Sequence, residues 1–324
     1  MKLTREQKDK RMGALFGQAI GDSLGVRDEF KPAAVIEAES RDRLVYKHSA
    51  RTDESDFGPG EWPDDTEQAL CILDAFIKDG EIVPQTLAQE MLDWLTRDGR
   101  GCGSHTMLIL NDGLFSLEPL AVSETAWENS GRRAAANGAA MRVSVVGILR
   151  PEDLDWTEKM AAISAQVTHF DPRCVASAVA IAIAVAMLVQ GSSITKAIKE
   201  AEKRDSRYHP ESTVFMQKSL PDLQLDEGLS VGKWNTKAPI GYTYKTLGAG
   251  FWALRNFAET ADFGQSLDPI LAAGGDVDTN AAVAGALIGA ALGVSKMPAH
   301  LVHGMPGKDK LLGLARQVFA RIEV

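Results

Sequence analysis

Apolar residues recur along this chain at three- and four-residue spacing far more often than at two, which is the period of helices. Thr4-x-x-Gln7 has the form of a capping box, and Met12, Leu15, Phe16 and Ala19 continue from it at helical spacing. Gly13, Gly17 and Gly21 fall at every fourth position of that helix, a smooth face that another helix can approach closely. The helix is expected to end near Gly21–Asp22, with a loop over residues 25–30. A polar stretch, 40–63, precedes a helix with Ala69, Ile72, Leu73, Phe76 and Ile77 on one face and Gly80 as its stop.

The same reading continues through the chain. Thr86-x-x-Gln89 is expected to cap a helix over Pro84–Arg97, and a glycine-rich connector, Gly99–Thr106, leads into Met107–Leu110. Residues 123–136 and Met141–Leu149 read as helices on either side of the breaker Asn137–Gly138. Asp155-x-x-Glu158 is expected to cap a helix ending near Thr168–His169. Asp171–Pro172 opens an alanine-rich helix that stops at Gly191, and Ser192 or Ser193 opens an exposed one through Lys203. Residues 204–240 look irregular; Tyr244–Phe257, Ser266–Ala273, Thr279–Val294 and Lys308–Ile322 resume the helical period. The best strand signal is Leu44–Lys47. No fixed-period repeat and no boundary interrupts the pattern, so the expected fold is all-α: a single compact multi-helix domain over 1–324.

Composition narrows the function. With 45% hydrophobic residues among 324, a sizeable core is available. A net charge of −9 with no Lys/Arg block argues against a nucleic-acid or membrane-surface partner, both of which need a basic footprint. Cys71, Cys102 and Cys174 are odd in number and far apart, which suits reduced thiols in a cytosolic protein. The charged N-terminus is followed by no apolar segment of the signal-peptide kind. Val175–Val189 falls short of the roughly 18–20 apolar residues that span a bilayer, and is expected to be a core helix. A monomer is expected.

Two acidic clusters stand out, Asp64–Asp65–Thr66 and Asp276-x-Asp278–Thr279, each at the start of an apolar helix. Asp and Thr at helix starts can be ordinary N-caps. If the two starts converge, however, their carboxylates share a small volume and repel unless cations sit among them. That suits a pair of divalent ions roughly 3.5–4 Å apart. All-oxygen ligation points to Mg²⁺, Mn²⁺ or Ca²⁺ and away from zinc, which prefers His or Cys. Gly101, Gly103, Ser104 and His105 belong to a glycine-rich turn, which can offer N–H groups to an anion or can be a plain connector. His169 reads equally as a ligand-lining group or as a structural histidine at a helix end.

The stretch Gly17–Gln18–Ala19–Ile20–Gly21–Asp22–Ser23–Leu24–Gly25, with Glu29–Phe30, resembles the opening motif of the ADP-ribosylglycohydrolase family. Trp62–Pro63–Asp64–Asp65–Thr66 resembles that family's Trp-Thr-Asp-Asp-Thr. Asn137–Gly138–Ala139–Ala140–Met141–Arg142 and Thr168–His169-x-Asp171–Pro172 resemble two further signatures. Gly274–Gly275–Asp276–Val277–Asp278–Thr279 is similar to the closing Gly-Gly-Asp-Thr-Asp-Thr. The motifs come in the family's order and span most of the chain.

The resemblance implies an all-α protein with two divalent metal ions, Mg²⁺ or Mn²⁺, at the base of a cleft. It implies hydrolysis at the anomeric carbon of an ADP-ribosyl group carried by a protein or a small molecule, freeing an arginine, serine or small-molecule partner. By motif position Asp64, Asp65, Asp276, Asp278 and Thr279 would be metal ligands, and Glu29 an acid beside them. The base would be Glu29 or one of the metal-bound aspartates, such as Asp65 or Asp278. The turn at Gly101–His105 would lie beside the phosphates and distal ribose, with Asn137 and Gly138 lining the same cleft.

Two positions depart from the pattern. Pro63 stands where the family usually has Thr or Ser, and it has neither a side-chain oxygen nor an N–H. One metal is then expected to be held more weakly, or a water to replace the oxygen. Val277 replaces another common Thr and is expected to point away from the ligand side. Beside the hydrolase reading stand an ADP-ribose- and metal-binding protein with little activity, and a hydrolase of another ribosylated nucleotide derivative.

Overall fold

The computed structural model describes residues 2–39, 42–50, 56–231 and 239–323. Helix α1 (Arg5–Gly25) opens on the expected capping box, with Thr4 Oγ1 accepting from Gln7 N–H and Gln7 Oε1 from Thr4 N–H. It runs on to Gly25, past the expected end, because packing along its glycine face outweighs the weak helix propensity of glycine. Strand β1 (Lys31–Pro32) and helix α2 (Ala33–Ala38) follow. Leu44–Lys47 forms no strand. Its polar groups are met from the far end of the chain: a His300 ring nitrogen lies 3.0 Å from the Leu44 carbonyl, and Tyr46 OH donates to Leu301 O at 2.9 Å. Strand pairing appears just beyond, between β2 (Ser49–Ala50) and β3 (Asp56–Phe57).

Helix α3 (Asp64–Asp79) starts on its two aspartates and stops at Gly80, whose φ of 75° suits glycine. Helix α4 (Pro84–Arg97) starts from Pro84 rather than from a Thr86 cap, since the fixed φ of proline fits the first helical position. Helices α5 (Ser104–Leu110) and α6 (Pro119–Asn129) come next. The second overlaps the expected 123–136 window but starts and ends earlier: Pro119 begins it, and Gly131 and Arg132 turn the chain away with φ of 70° and 60°. Instead of an α-helix over Met141–Leu149 there is a buried 3₁₀ helix, Val143–Ile148. It is pressed so closely onto its neighbour that a Cβ on Gly147 would lie 2.4 Å from the Ala182 carbonyl oxygen.

Helix α7 (Leu154–Gln166) is capped by Asp153, which accepts from Trp156 N–H, while the expected Asp155 pairs with Arg204 at 2.7 Å. Asp171 and Ser193 cap α8 (Pro172–Val189) and α9 (Ile194–Asp205). The stretch expected to be irregular contains α10 (Ser212–Gln217) and α11 (Leu220–Leu223), with 232–238 outside the described residues. The chain closes with α12 (Thr243–Thr260), α13 (Phe263–Ala272), strand β4 (Gly274–Gly275), α14 (Val277–Leu292), α15 (Ala299–Gly304) and α16 (Lys308–Ile322). Helix α8 is longer than its sequence run suggested. Its 18 residues have a mean hydropathy of 2.1, and 83% of that window is buried inside the protein, packed against α7, α9, α12 and α14. It is a core helix.

The site is positioned by the crossing of α1 and α14, the most extensive helix–helix contact in the fold. A Cβ on Gly13 would lie 2.2 Å from Gly289 O, one on Gly17 2.0 Å from Gly285 O, and one on Gly21 1.9 Å from Ala281 O. No side chain fits at these positions, so the two backbones touch. The contacts run in opposite directions along the two helices, which brings the end of α1 to the start of α14. Asp22 therefore arrives beside Asp278. The short β1–β4 ladder, Lys31 opposite Gly275 and Pro32 opposite Gly274, adds the turn that carries Glu29. Phe30 N–H donates to Gly275 O at 2.7 Å while Phe30 holds a φ of 62°, an uncommon value for a non-glycine residue.

Candidate metal centre and cleft

Every residue singled out from the sequence as a metal, substrate or catalytic candidate borders one cleft of about 650 Å³. The acids come from the turn before β1, the first turn of α3 and the first turn of α14. Carboxylate oxygens of Asp22, Asp65 and Asp278 lie within 4.8 Å of one another, and those of Glu29, Asp276 and Asp278 form a second such group. Asp278 belongs to both. Thr279 sits one residue on, with its N–H donating to Asp278 Oδ1 at 2.9 Å. Val277 faces the core, as expected from its side of the helix start.

Asp22 was not among the sequence candidates, although it lies inside the first motif. It is wholly buried, and one oxygen, Oδ2, accepts from both the N–H and the hydroxyl of Thr66, at 2.9 and 2.6 Å. The other oxygen has no partner among the described residues, and neither has Asp65 Oδ1. The available signal was an acid placed between Gly21 and Ser23, in the half of the helix that follows Arg11 and is mostly small or apolar.

Unpartnered carboxylate oxygens in a dry site are expensive. Burial, then the Asp278 carboxylate, pushes Asp22 well above the usual carboxylate range. Burial, then Asp22 and Asp278, does the same to Asp65. Asp276 is pushed up to about 7, by burial first and Asp278 second, against hydrogen bonds from Asn137 and Thr279 that favour its charged form. Among the described residues no Lys or Arg is a cause of the shifts at Asp22, Asp65 and Asp276. The donors are all hard oxygens with free lone pairs, and divalent cations of the Mg²⁺ or Mn²⁺ kind fit them.

A pH dependence follows from these shifts. Carboxyls raised in the folded state stabilise it fully below pH ~4, their unfolded range, and lose that contribution as pH rises through the folded values. For Asp276 the loss is complete above about 7. The metal-free protein is therefore expected to show a falling Tm between pH 5 and 8. The rise in Tm on adding Mn²⁺ is expected to grow over the same interval, because binding must displace the protons. Scanning calorimetry of chelator-treated protein measures both; a metal-free Tm that climbs over this range contradicts the assignment.

The remaining walls are set by hydrogen bonds and close approaches. Asn137 Nδ2 donates to Asp276 Oδ2 at 2.8 Å and to Thr246 Oγ1 at 2.9 Å, tying the Asn137–Gly138 turn to the acids. Gly101 has a φ of 84°, and a Cβ there would lie 2.6 Å from Asp64 Oδ1, so this turn is glycine because it touches the carboxylate. A Cβ on Gly103 would meet nothing within 4 Å, which leaves room beside Ser104 for a ligand. The His105 and His169 rings meet at a tilt of 58°, with centroids 4.7 Å apart. Burial, then the His105 and Arg142 charges, holds His169 well below the usual histidine range, so it is neutral at physiological pH. Pro63 is the residue before α3 and gives no side-chain cap.

The sequence model of the ADP-ribosylglycohydrolase family matches residues 3–324. ADP-ribosylarginine hydrolase Tri1 of Serratia proteamaculans (strain 568) is 28% identical over 318 residues, covering 97% of this chain and 80% of its own. ADP-ribosylhydrolase ARH3 of Danio rerio is 26% identical over 338 residues, covering 95% and 89%. A solved structure described as an ADP-ribosylglycohydrolase-related protein complex superposes with a TM-score of 0.72 at 24% identity, over 98% of this chain and 99% of that one, and shares the fold. The all-α fold of this chain is thus a known architecture. The chain belongs to the ADP-ribosylglycohydrolase family.

Proposed function

We propose that this chain is a divalent-metal-dependent hydrolase that cleaves the bond at the anomeric carbon of an ADP-ribosyl group. It would release ADP-ribose from a modified protein side chain or a small molecule. The observation that carries this reading is the pair of acidic groups sharing Asp278, with oxygens on Asp22 and Asp65 that have no partner among the described residues, at the floor of a cleft large enough for a nucleotide. The relative named for ADP-ribosylarginine makes an arginine-linked substrate the first to test.

Asp22, Asp64, Asp65, Asp276, Asp278 and Thr279 would hold two ions, Mg²⁺ or Mn²⁺. When bound, the ions orient the ribose hydroxyls and the attacking water and lower that water's pKa. Breaking the glycosidic bond develops positive charge on the ribose, and the carboxylate floor stabilises it. Glu29 is the best placed base, being half-buried while Asp65 and Asp278 are buried, so it can meet a water entering the cleft. The water's proton passes to Glu29, its oxygen bonds to the anomeric carbon, and the leaving group departs with the electron pair and takes up a proton. The backbone of the turn at Gly101–Ser104 and the neutral His105 and His169 would meet the diphosphate and distal ribose. Pro63 leaves one ion without a hydroxyl ligand, and a water would complete its shell.

Glu29→Gln tests the assignment of the base. Turnover of an arginine-linked ADP-ribosyl peptide is expected to fall roughly 10²- to 10⁴-fold, while the Kd for ADP-ribose, read by calorimetry with Mn²⁺ present, stays near that of the parent. Parent-like turnover removes Glu29 from the mechanism.

A further inference from the structure

Behind the cleft lies a cation whose placement stability alone does not explain. Arg142 has no exposure, and its Nε has no hydrogen-bond partner among the described residues. An apolar residue would fill a core position at less cost than an incompletely paired guanidinium. Both of its terminal nitrogens are engaged. Nη1 donates to Gln68 Oε1 at 2.9 Å, and Nη2 donates to Thr168 Oγ1 at 2.7 Å and to Ser164 O at 3.0 Å.

A guanidinium can only donate, so an amide that it touches is fixed in one orientation, and a hydroxyl that accepts from it keeps its own proton for a further acceptor. With its oxygen on Arg142, Gln68 must aim its NH₂ the other way, where it donates to Asp64 Oδ2 at 3.0 Å. Asp64 Oδ2 is thereby held on Gln68, and Oδ1 is the oxygen beside Gly101, in the wall of the cleft. Thr168 Oγ1 accepts from Arg142 and has its own proton for His169 Nδ1, 2.7 Å away. His169 in its neutral form then carries its proton on Nε2. That nitrogen lies on the cleft side, 2.9 Å from where a Cβ on Gly138 would stand. The same residue holds the second imidazole, since the Thr168 carbonyl, an acceptor only, lies 3.0 Å from His105 Nε2.

We propose that Arg142 is a positioning residue with two arms: through Gln68 it orients the Asp64 carboxylate at the metal site, and through Thr168 it sets His169 as an Nε2–H donor to the bound ADP-ribosyl group. The identity of the ligand rests on the functional reading above. The orientation of the two side chains does not.

The arms separate in isosteric variants. Thr168→Val is expected to shift His169 from the Nε2–H form toward the Nδ1–H form in ¹⁵N NMR of labelled imidazoles. It should weaken ADP-ribose binding about tenfold while Mn²⁺ affinity stays within about twofold. Gln68→Met is expected to weaken Mn²⁺ about tenfold and leave the His169 spectrum unchanged. Arg142→Lys keeps the charge without the fork and is expected to do both. Should that variant not fold, the two single-arm variants decide. A Thr168→Val protein with the parent's His169 spectrum and ADP-ribose affinity, or a Gln68→Met protein with the parent's Mn²⁺ affinity, overturns the corresponding arm. A parent that binds Mn²⁺ but no ADP-ribose defeats the functional reading instead, and the tautomer and metal readouts still judge Arg142.

Discussion

Asp278→Ala is expected to abolish the stabilisation that divalent metal gives and to lower turnover by about 10³-fold or more, since metal catalysis is worth several kcal/mol of barrier. Asp278 is the one carboxylate shared by both acidic groups, so its loss opens both at once. At a metal concentration of 100 Kd the parent gains about 2.7 kcal/mol, and the variant should gain almost none. The sign reverses without metal. Asp278 is one cause of the raised pKa of Asp22, Asp65 and Asp276, so removing its charge relieves all three. The metal-free variant is expected to melt above the metal-free parent at pH 8. Differential scanning calorimetry with and without Mn²⁺ measures both effects. A variant less stable than the parent in both conditions would assign Asp278 a structural role.

Gly17→Ala has the largest expected effect on the fold. Its Cβ would stand 2.0 Å from Gly285 O, a backbone atom that cannot swing aside, so α1 and α14 must part. We expect a loss of about 4 kcal/mol or more, and a Tm lower by roughly 10 °C. Because the same crossing sets the spacing of Asp22 and Asp278, Mn²⁺ affinity should fall in whatever fraction remains folded. Gly313→Ala is the control. It lies in α16, where a Cβ meets nothing within 4 Å, and alanine there should raise stability by about 0.5–1 kcal/mol. Equal losses at both positions would contradict the account of the crossing.

These two residues also show what the sequence makes legible. The glycines of α1 announce a close helix approach, but they do not name the partner, because Gly285 and Gly289 are two among many small residues in α14. The two aspartate clusters are plain as local patterns. That their helix starts converge is a tertiary fact, and only the ordered family motifs pointed to it. Asp22 escaped because it sits near an expected helix end, where a polar residue is unremarked. Packing with α14 extended the helix past it and buried it.

Element boundaries failed where a stronger neighbour decided them. Pro119 starts α6 ahead of the expected window, and Pro84 takes the place of the expected Thr86 cap at a helix whose bounds, Pro84–Arg97, are as expected. Asp155 was drawn off by Arg204, leaving Asp153 as the cap. The expected Leu44–Lys47 strand lost its pairing role to side chains of the C-terminal region.

The most direct test of the central claim is release of free ADP-ribose by metal-stripped protein. It would be offered arginine-linked, serine-linked and small-molecule ADP-ribosyl substrates, each with and without added Mn²⁺ or Mg²⁺. We expect release from at least one of them, dependent on the added ion and lost in Asp278→Ala. Release that proceeds equally in chelator, or no release from any substrate by protein shown to bind the ions, would contradict a metal-dependent ADP-ribosyl hydrolase.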